Sequence, residues 1–108
     1  MFFLVIRYDY SDAEQFRVVL KQEHRKFLRS LGKRLVTGGA IFDEFGAVTG
    51  GTMTFEAKDI DMARAIAQSD PYAQHPKIVF KTVIIPFRCR WKDGVFYDDE
   101  GYSTNEAD

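Results

Sequence analysis

The order in which the hydrophobic period changes along this chain limits its fold more than any other feature. It runs strand, helix, strand, strand, helix, strand. Residues 2 to 9 are aromatic and β-branched and read as a buried strand. Ser11, with Glu14 three residues on, reads as a capping box that opens a helix. Apolar residues then recur at spacings of three and four through Phe16, Val19, Leu20, Phe27, Leu28 and Leu31, as on the buried face of a helix. Gly32 can supply the left-handed stop. Residues 34 to 42 and 47 to 56 read as strands joined by a turn at residues 42 to 46. Each contains a glycine pair, Gly38-Gly39 and Gly50-Gly51. Asp59 can cap a second helix to about Gln68 that buries Ile60, Ala63, Ile66 and Ala67. Pro71 and Pro76 bound an irregular segment, and Ile78 to Ile85 form a last strand ended by Pro86.

Right-handed crossovers turn this order into an α+β fold: a ferredoxin-like βαββαβ antiparallel sheet with two helices on one face. The other sheet face is then uncovered. The last strand carries apolar groups on both of its faces, Phe80 and Ile84 on one and Val83 and Ile85 on the other. An open apolar sheet face is ordinary in a dimer and a liability in a monomer, so the expectation is a homodimer packed sheet against sheet.

A chain of 108 residues fits one domain. The expected domain covers residues 1–87. Residues 88–97 form an extension with a hairpin signal at Asp93-Gly94, and residues 98–108 an acidic, flexible tail. The apolar opening, Met1 to Ile6, meets Arg7 at once and is too short for a signal core or a membrane span, so the protein is expected to be soluble and cytoplasmic. Cys89 is the only cysteine, which excludes an internal disulfide and fits a reducing compartment. It lies between Arg88 and Arg90, which would favour a thiolate, but is read as incidental. Arg17, Lys21, Arg25 and Arg29 recur at four-residue spacing and read as a solvated helix face. No nucleic-acid motif accompanies them, so no nucleic-acid or membrane partner is expected.

Two polar residues interrupt this apolar frame. His24 stands four residues after Leu20 and four before Leu28, within the helical stripe. Asp70 ends the second helix, in Ser69-Asp70-Pro71-Tyr72. Imidazole can hold or release a proton near neutral pH, and a carboxylate on its far nitrogen would fix the tautomer. The plain alternatives are a satisfied core histidine and a turn-forming aspartate. Tyr72 reads as a pocket wall or hydrogen-bond donor, or as packing. Arg7 and Arg34 are candidates for binding an anionic substrate, or are solvated. Gly39 and Gly51 could let a ligand approach the backbone, or could mark bulges. His75 fits no common zinc spacing with His24, Asp70 and Glu23, so no metal is expected. No dinucleotide fingerprint, Walker loop or nucleophile elbow occurs, and no cofactor is expected.

These residues carry a resemblance. The opening strand, His24 with Leu28, Arg34-Leu35-Val36-Thr37-Gly38-Gly39-Ala40, Thr49-Gly50-Gly51-Thr52, Asp70-Pro71-Tyr72 and Pro86-Phe87 resemble the YCII-related (YciI-like) family of the dimeric α+β barrel superfamily, over residues 2 to 87. Asp-Pro-Tyr after a helix is the most specific of these pieces. The resemblance implies a ferredoxin-like dimer with a His and Asp pair for acid–base work, placed here at His24 and Asp70. Relatives with assigned chemistry are lyases of the dehydrohalogenating kind on small ring compounds. Two departures touch the implied pocket wall. Ala40 follows Gly39 where the family often has proline, and the usual glycine a few residues after Tyr72 is missing. The expected function is therefore a small-molecule lyase or isomerase on a small cyclic or anionic substrate. The rivals are a non-catalytic ligand-binding or regulatory module and a cofactor-free monooxygenase.

Overall fold

The computed structural model describes residues 1–98; the acidic tail beyond Asp98 lies outside the described residues. Strands β1 (Phe2–Asp9), β2 (Leu35–Phe42), β3 (Val48–Glu56) and β4 (Val79–Phe87) form one antiparallel sheet in the order β2-β3-β1-β4. Helices α1 (Glu14–Ser30) and α2 (Ile60–Gln68) cross between strands, and a single helical turn, α3 (Pro71–Gln74), leads into β4. This is a ferredoxin-like α+β fold, with the strand order that two βαβ halves produce.

Alternation along β1 decides which face is buried. Phe3 and Val5 point to the helices, at 0% and 3% exposure, and pack with Met53 and Phe55 of β3. Ala63, Ile66 and Ala67 of α2 and Leu31 close this core. The same alternation carries Arg7 and Asp9 onto the helix side, toward α1. On the far side Ile6 stands opposite Thr52 and Val83, and Leu4 opposite Thr54 and Ile85, leaving an apolar strip.

Ser11 does not cap α1. The N-cap is Ala13, without a side-chain cap, and its fully buried methyl packs in a cluster with Tyr72 and Ile78. Burial of Ala13, not a hydroxyl, fixes the start of the helix. Val19 is 79% exposed and lies off the buried stripe. Arg17, read as solvated, is buried, because it shares the spacing of Leu20, His24 and Leu28 and so faces the sheet. Strands β2 and β3 run unbroken through their glycine pairs, and the register of β2 shifts at Leu35/Thr37 and Ile41/Phe42 instead. Residues 71 to 74, read as irregular, form α3, with Pro71 in its first turn. β4 continues past Ile85 because it is an edge strand, where Pro86 need not donate to a neighbour.

Asp59 does cap α2, accepting from the Met62 amide at 2.8 Å. Beyond the sheet, β5 (Trp91–Lys92) pairs with β6 (Val95–Phe96) through Asp93 and Gly94, both at positive φ. Among the described residues no helix is long and apolar enough to cross a membrane.

Candidate functional site

A cavity of about 460 Å³ lies between α1 and the helix-facing side of the sheet. That volume suits a small molecule. β1 contributes Arg7, β3 Gly51, β2 Gly39 and α1 Arg17 and His24; the turn entering α3 contributes Asp70 and Tyr72. Lys21, Arg25 and Glu14 also line it.

His24 and Asp70, 46 residues apart, meet there: Nδ1 lies 2.7 Å from Asp70 Oδ1. Their side chains are 17% and 7% exposed. Asp70 is fixed from its own side, because Oδ1 also accepts the Tyr72 amide at 3.0 Å as the cap of α3. A carboxylate facing Nδ1 favours the tautomer with the proton on that nitrogen, and leaves the Nε2 lone pair free to accept another. The Tyr72 ring stacks on the imidazole, centroids 3.9 Å apart and planes 6° from parallel. Its hydroxyl donates to the Arg17 carbonyl at 3.2 Å, so Tyr72 offers the cavity a ring more than a donor. Burial pushes the Tyr72 phenol above its ordinary value; the Asp70 charge adds to the rise, and Arg7, Arg17 and Arg25 oppose it.

Arg7 is held flat on the sheet. Its Nε and Nη2 donate to Asp9 Oδ1 and Oδ2 at 2.8 and 3.2 Å, and its guanidinium carbon lies 5.0 Å from the Tyr72 centroid. Glycines beneath it leave it room: a Cβ at Gly51 would come within 2.9–3.0 Å of three guanidinium atoms and push them aside, and one at Gly50 would overlap the Arg7 carbonyl. Close approach, rather than a bulge, explains this glycine pair. Arg17 Nη1 reaches the other side of Asp9, 2.8 Å from Oδ2.

Arg34 does not line the cavity. It sits in the helical turn Gly32–Arg34, and its Nε donates to the Leu31 carbonyl at 3.4 Å. His75 Nδ1 accepts the Lys77 amide and also stands outside the cavity, as does Cys89. Among the described residues no group of three acidic, histidine or cysteine side chains could hold a metal. Asp9 and Arg17 are the two members of this cluster that sequence reasoning missed. The signals were present: Asp9 keeps the alternation of Phe3, Val5 and Arg7, and Arg17 stands seven residues before His24.

Among solved structures, a 5-chloro-2-hydroxyhydroquinone dehydrochlorinase from Burkholderia phenoliruptrix, in complex with 2,5-dihydroxybenzoquinone, aligns with a TM-score of 0.72. It is 22% identical, over 82% of this chain and 94% of that one. Protein Atu4242 from Agrobacterium tumefaciens aligns with a TM-score of 0.51 at 19% identity, over 86% of this chain and 98% of that one. Both likenesses concern the fold. A search of curated proteins gave no match. The family model of the YCII-related domain matches residues 1–88, and the chain belongs to that family.

Proposed function

We propose that the protein is a small-molecule enzyme of the lyase or isomerase kind, with His24 as the general base and Asp70 as its orienting partner. The observation that carries this reading is the 2.7 Å contact between the two side chains on the wall of a ligand-sized cavity. In this mechanism Nε2 takes a proton from a hydroxyl or an acidified carbon of a bound ring. Asp70 stabilises the imidazolium that forms, and the same proton returns to another ring atom. Delivered to a carbon, it completes an isomerisation. Where that carbon bears a halogen, the halide then leaves with its bonding electrons as a second hydroxyl loses its proton. The net change is loss of one proton and one halide ion, and the step needs no cofactor.

The dehydrochlorinase neighbour supports this class of reaction and supplies the first compound to try. Tyr72, Arg7, Gly39 and Gly51 form the substrate wall in this reading. Two subunits pack through the open sheet faces and leave both cavities accessible.

The test is incubation with 5-chloro-2-hydroxyhydroquinone and a panel of halogenated and unhalogenated hydroxyquinols, following chloride release, ring absorbance and oxygen uptake together. Turnover that disappears in His24→Asn supports the assignment. Binding without turnover across the panel would favour the ligand-binding module, and oxygen consumption would favour a monooxygenase.

A further inference from the structure

The cavity wall holds two arginines against one carboxylate. Asp9 has no exposed side-chain surface, and Arg7 and Arg17 are only 12% and 11% exposed. Asp9 accepts Nε and Nη2 of Arg7 and Nη1 of Arg17. Among the described residues, Nη1 of Arg7 and the remaining donors of Arg17 meet no side-chain acceptor, and both residues line the cavity. Two nearly buried cations therefore share one anion. An uncompensated buried charge is costly, and a bound anion would relieve it. The other inner carboxylate, Asp70, is engaged by His24. Around the rim Lys21 and Arg25 outnumber Glu14, which adds a field that draws anions inward.

We propose that Arg7 and Arg17 form an oxyanion clamp, and that the cavity takes a ring compound whose oxyanion sits on the clamp while its reacting atom faces His24. The inference rests on the assignment of His24 only for the direction in which the ring points; the clamp itself stands on the arginines. Tyr72 brings the two ends of the site together: its ring stacks on His24 at 3.9 Å and lies 5.0 Å from the Arg7 guanidinium carbon, so clamp and imidazole border the same cavity wall. The fork of Arg7 on Asp9 holds one arginine in place before the ligand arrives, so little side-chain freedom is lost on binding. The oxyanion can come from a carboxylate or from an ionised ring hydroxyl, since either presents the same charged oxygen.

Binding of charged and neutral pairs, measured by calorimetry on the full chain, tests the clamp without any turnover. Benzoate is compared with benzamide, and 4-nitrophenolate with 4-nitroanisole. At least one anion should bind about ten- to a hundredfold more tightly than its neutral partner. Preference within the first pair identifies a carboxylate ligand, and preference within the second a ring oxyanion. Arg17→Gln should erase the preference, while Arg17→Lys should keep much of it. His24→Asn should leave it in place, which separates failure of the clamp from failure of the base. Near-ultraviolet circular dichroism checks that Arg17→Gln folds; if it does not, the same preference must weaken with added salt in the unaltered protein. Equal binding within both pairs, or a preference that survives Arg17→Gln, overturns the proposal.

Discussion

The Tyr72 ring lies parallel to the His24 imidazole at 3.9 Å, while its hydroxyl is tied 3.2 Å away to the backbone of the helix that carries His24. One side chain thus buttresses the imidazole and joins the turn after α2 to α1. Tyr72→Phe keeps the stack and removes the tie. We expect a loss of about 1 kcal/mol in folding stability from the missing hydrogen bond, with ligand binding little changed.

The same phenol imposes a pH dependence. Burial holds its pKa above the ordinary value of 10.0 in the folded state. Below that value the phenol is neutral in folded and unfolded chains, and its stabilising contribution is intact. Above it the unfolded chain releases the proton first, so stability falls as pH rises until the folded group also ionises. Urea midpoints taken across the alkaline range should fall more steeply for the unaltered protein than for Tyr72→Phe. Parallel slopes would show that Tyr72 is not the group involved.

Asp70 has two duties, and substitutions separate them. Asp70→Asn keeps an oxygen that can accept from Nδ1 and from the Tyr72 amide, but removes the charge that would stabilise an imidazolium. Turnover should drop by about a hundredfold or more with little change in urea midpoint. Asp70→Ala also removes the cap of α3 and should cost a further ~1 kcal/mol of stability. If Asp70→Asn left turnover untouched, Asp70 would be a cap and nothing more.

The sheet order and both long helices were legible because hydrophobic period is a local signal. Phe3 and Val5 announce a strand, and Leu20, Leu28 and Leu31 a helix, whatever lies elsewhere in the chain. His24 and Asp70 were legible for a related reason: each breaks an otherwise consistent local pattern. Arg17 and Asp9 were harder to read. Arg17 belongs to two periodic series at once, the basic stripe with Lys21 and Arg25 and the inward stripe with Leu20 and His24. Only the contact with Asp9 decides between them. Ser11 misled because a capping box is a local preference, and burial of Ala13 beside Tyr72 and Ile78 outweighs it. Arg34 misled because neither alternation nor motif says where a turn points a long side chain.

The glycine pair of β3 should respond unequally to added methyl groups. At Gly50 a Cβ would run into the backbone carbonyl of Arg7, and neither strand can yield without breaking the β1–β3 ladder. Gly50→Ala should cost about 1–3 kcal/mol or more, read as a lower urea midpoint. At Gly51 the obstacle is the Arg7 guanidinium, the movable end of a side chain. Gly51→Ala should fold with a smaller penalty but displace Arg7 from Asp9 and from the Tyr72 ring. Its effect should appear chiefly as weaker binding of whichever anion the unaltered protein prefers. A Gly51→Ala protein with full anion affinity would detach Arg7 from the binding wall.

The open face of the sheet yields the last prediction, for assembly. Ile6 and Val83 stand opposite each other on β1 and β4, beside Leu4 and Ile85, on the face opposite α1 and α2. Ile85 is 41% exposed. Contiguous apolar surface of this kind marks an interaction site. Two copies packed through it would bury these side chains while leaving the α1 side, and hence the cavity, outward. Sedimentation should give a dimer for the unaltered protein and a monomer for Val83→Asp, because a buried, unpaired carboxylate opposes packing. Circular dichroism must show the variant folded, and its binding of the preferred anion should persist, since the cavity lies on the opposite face. A monomeric unaltered protein at working concentrations would refute the sheet-to-sheet dimer and leave this face in need of another partner.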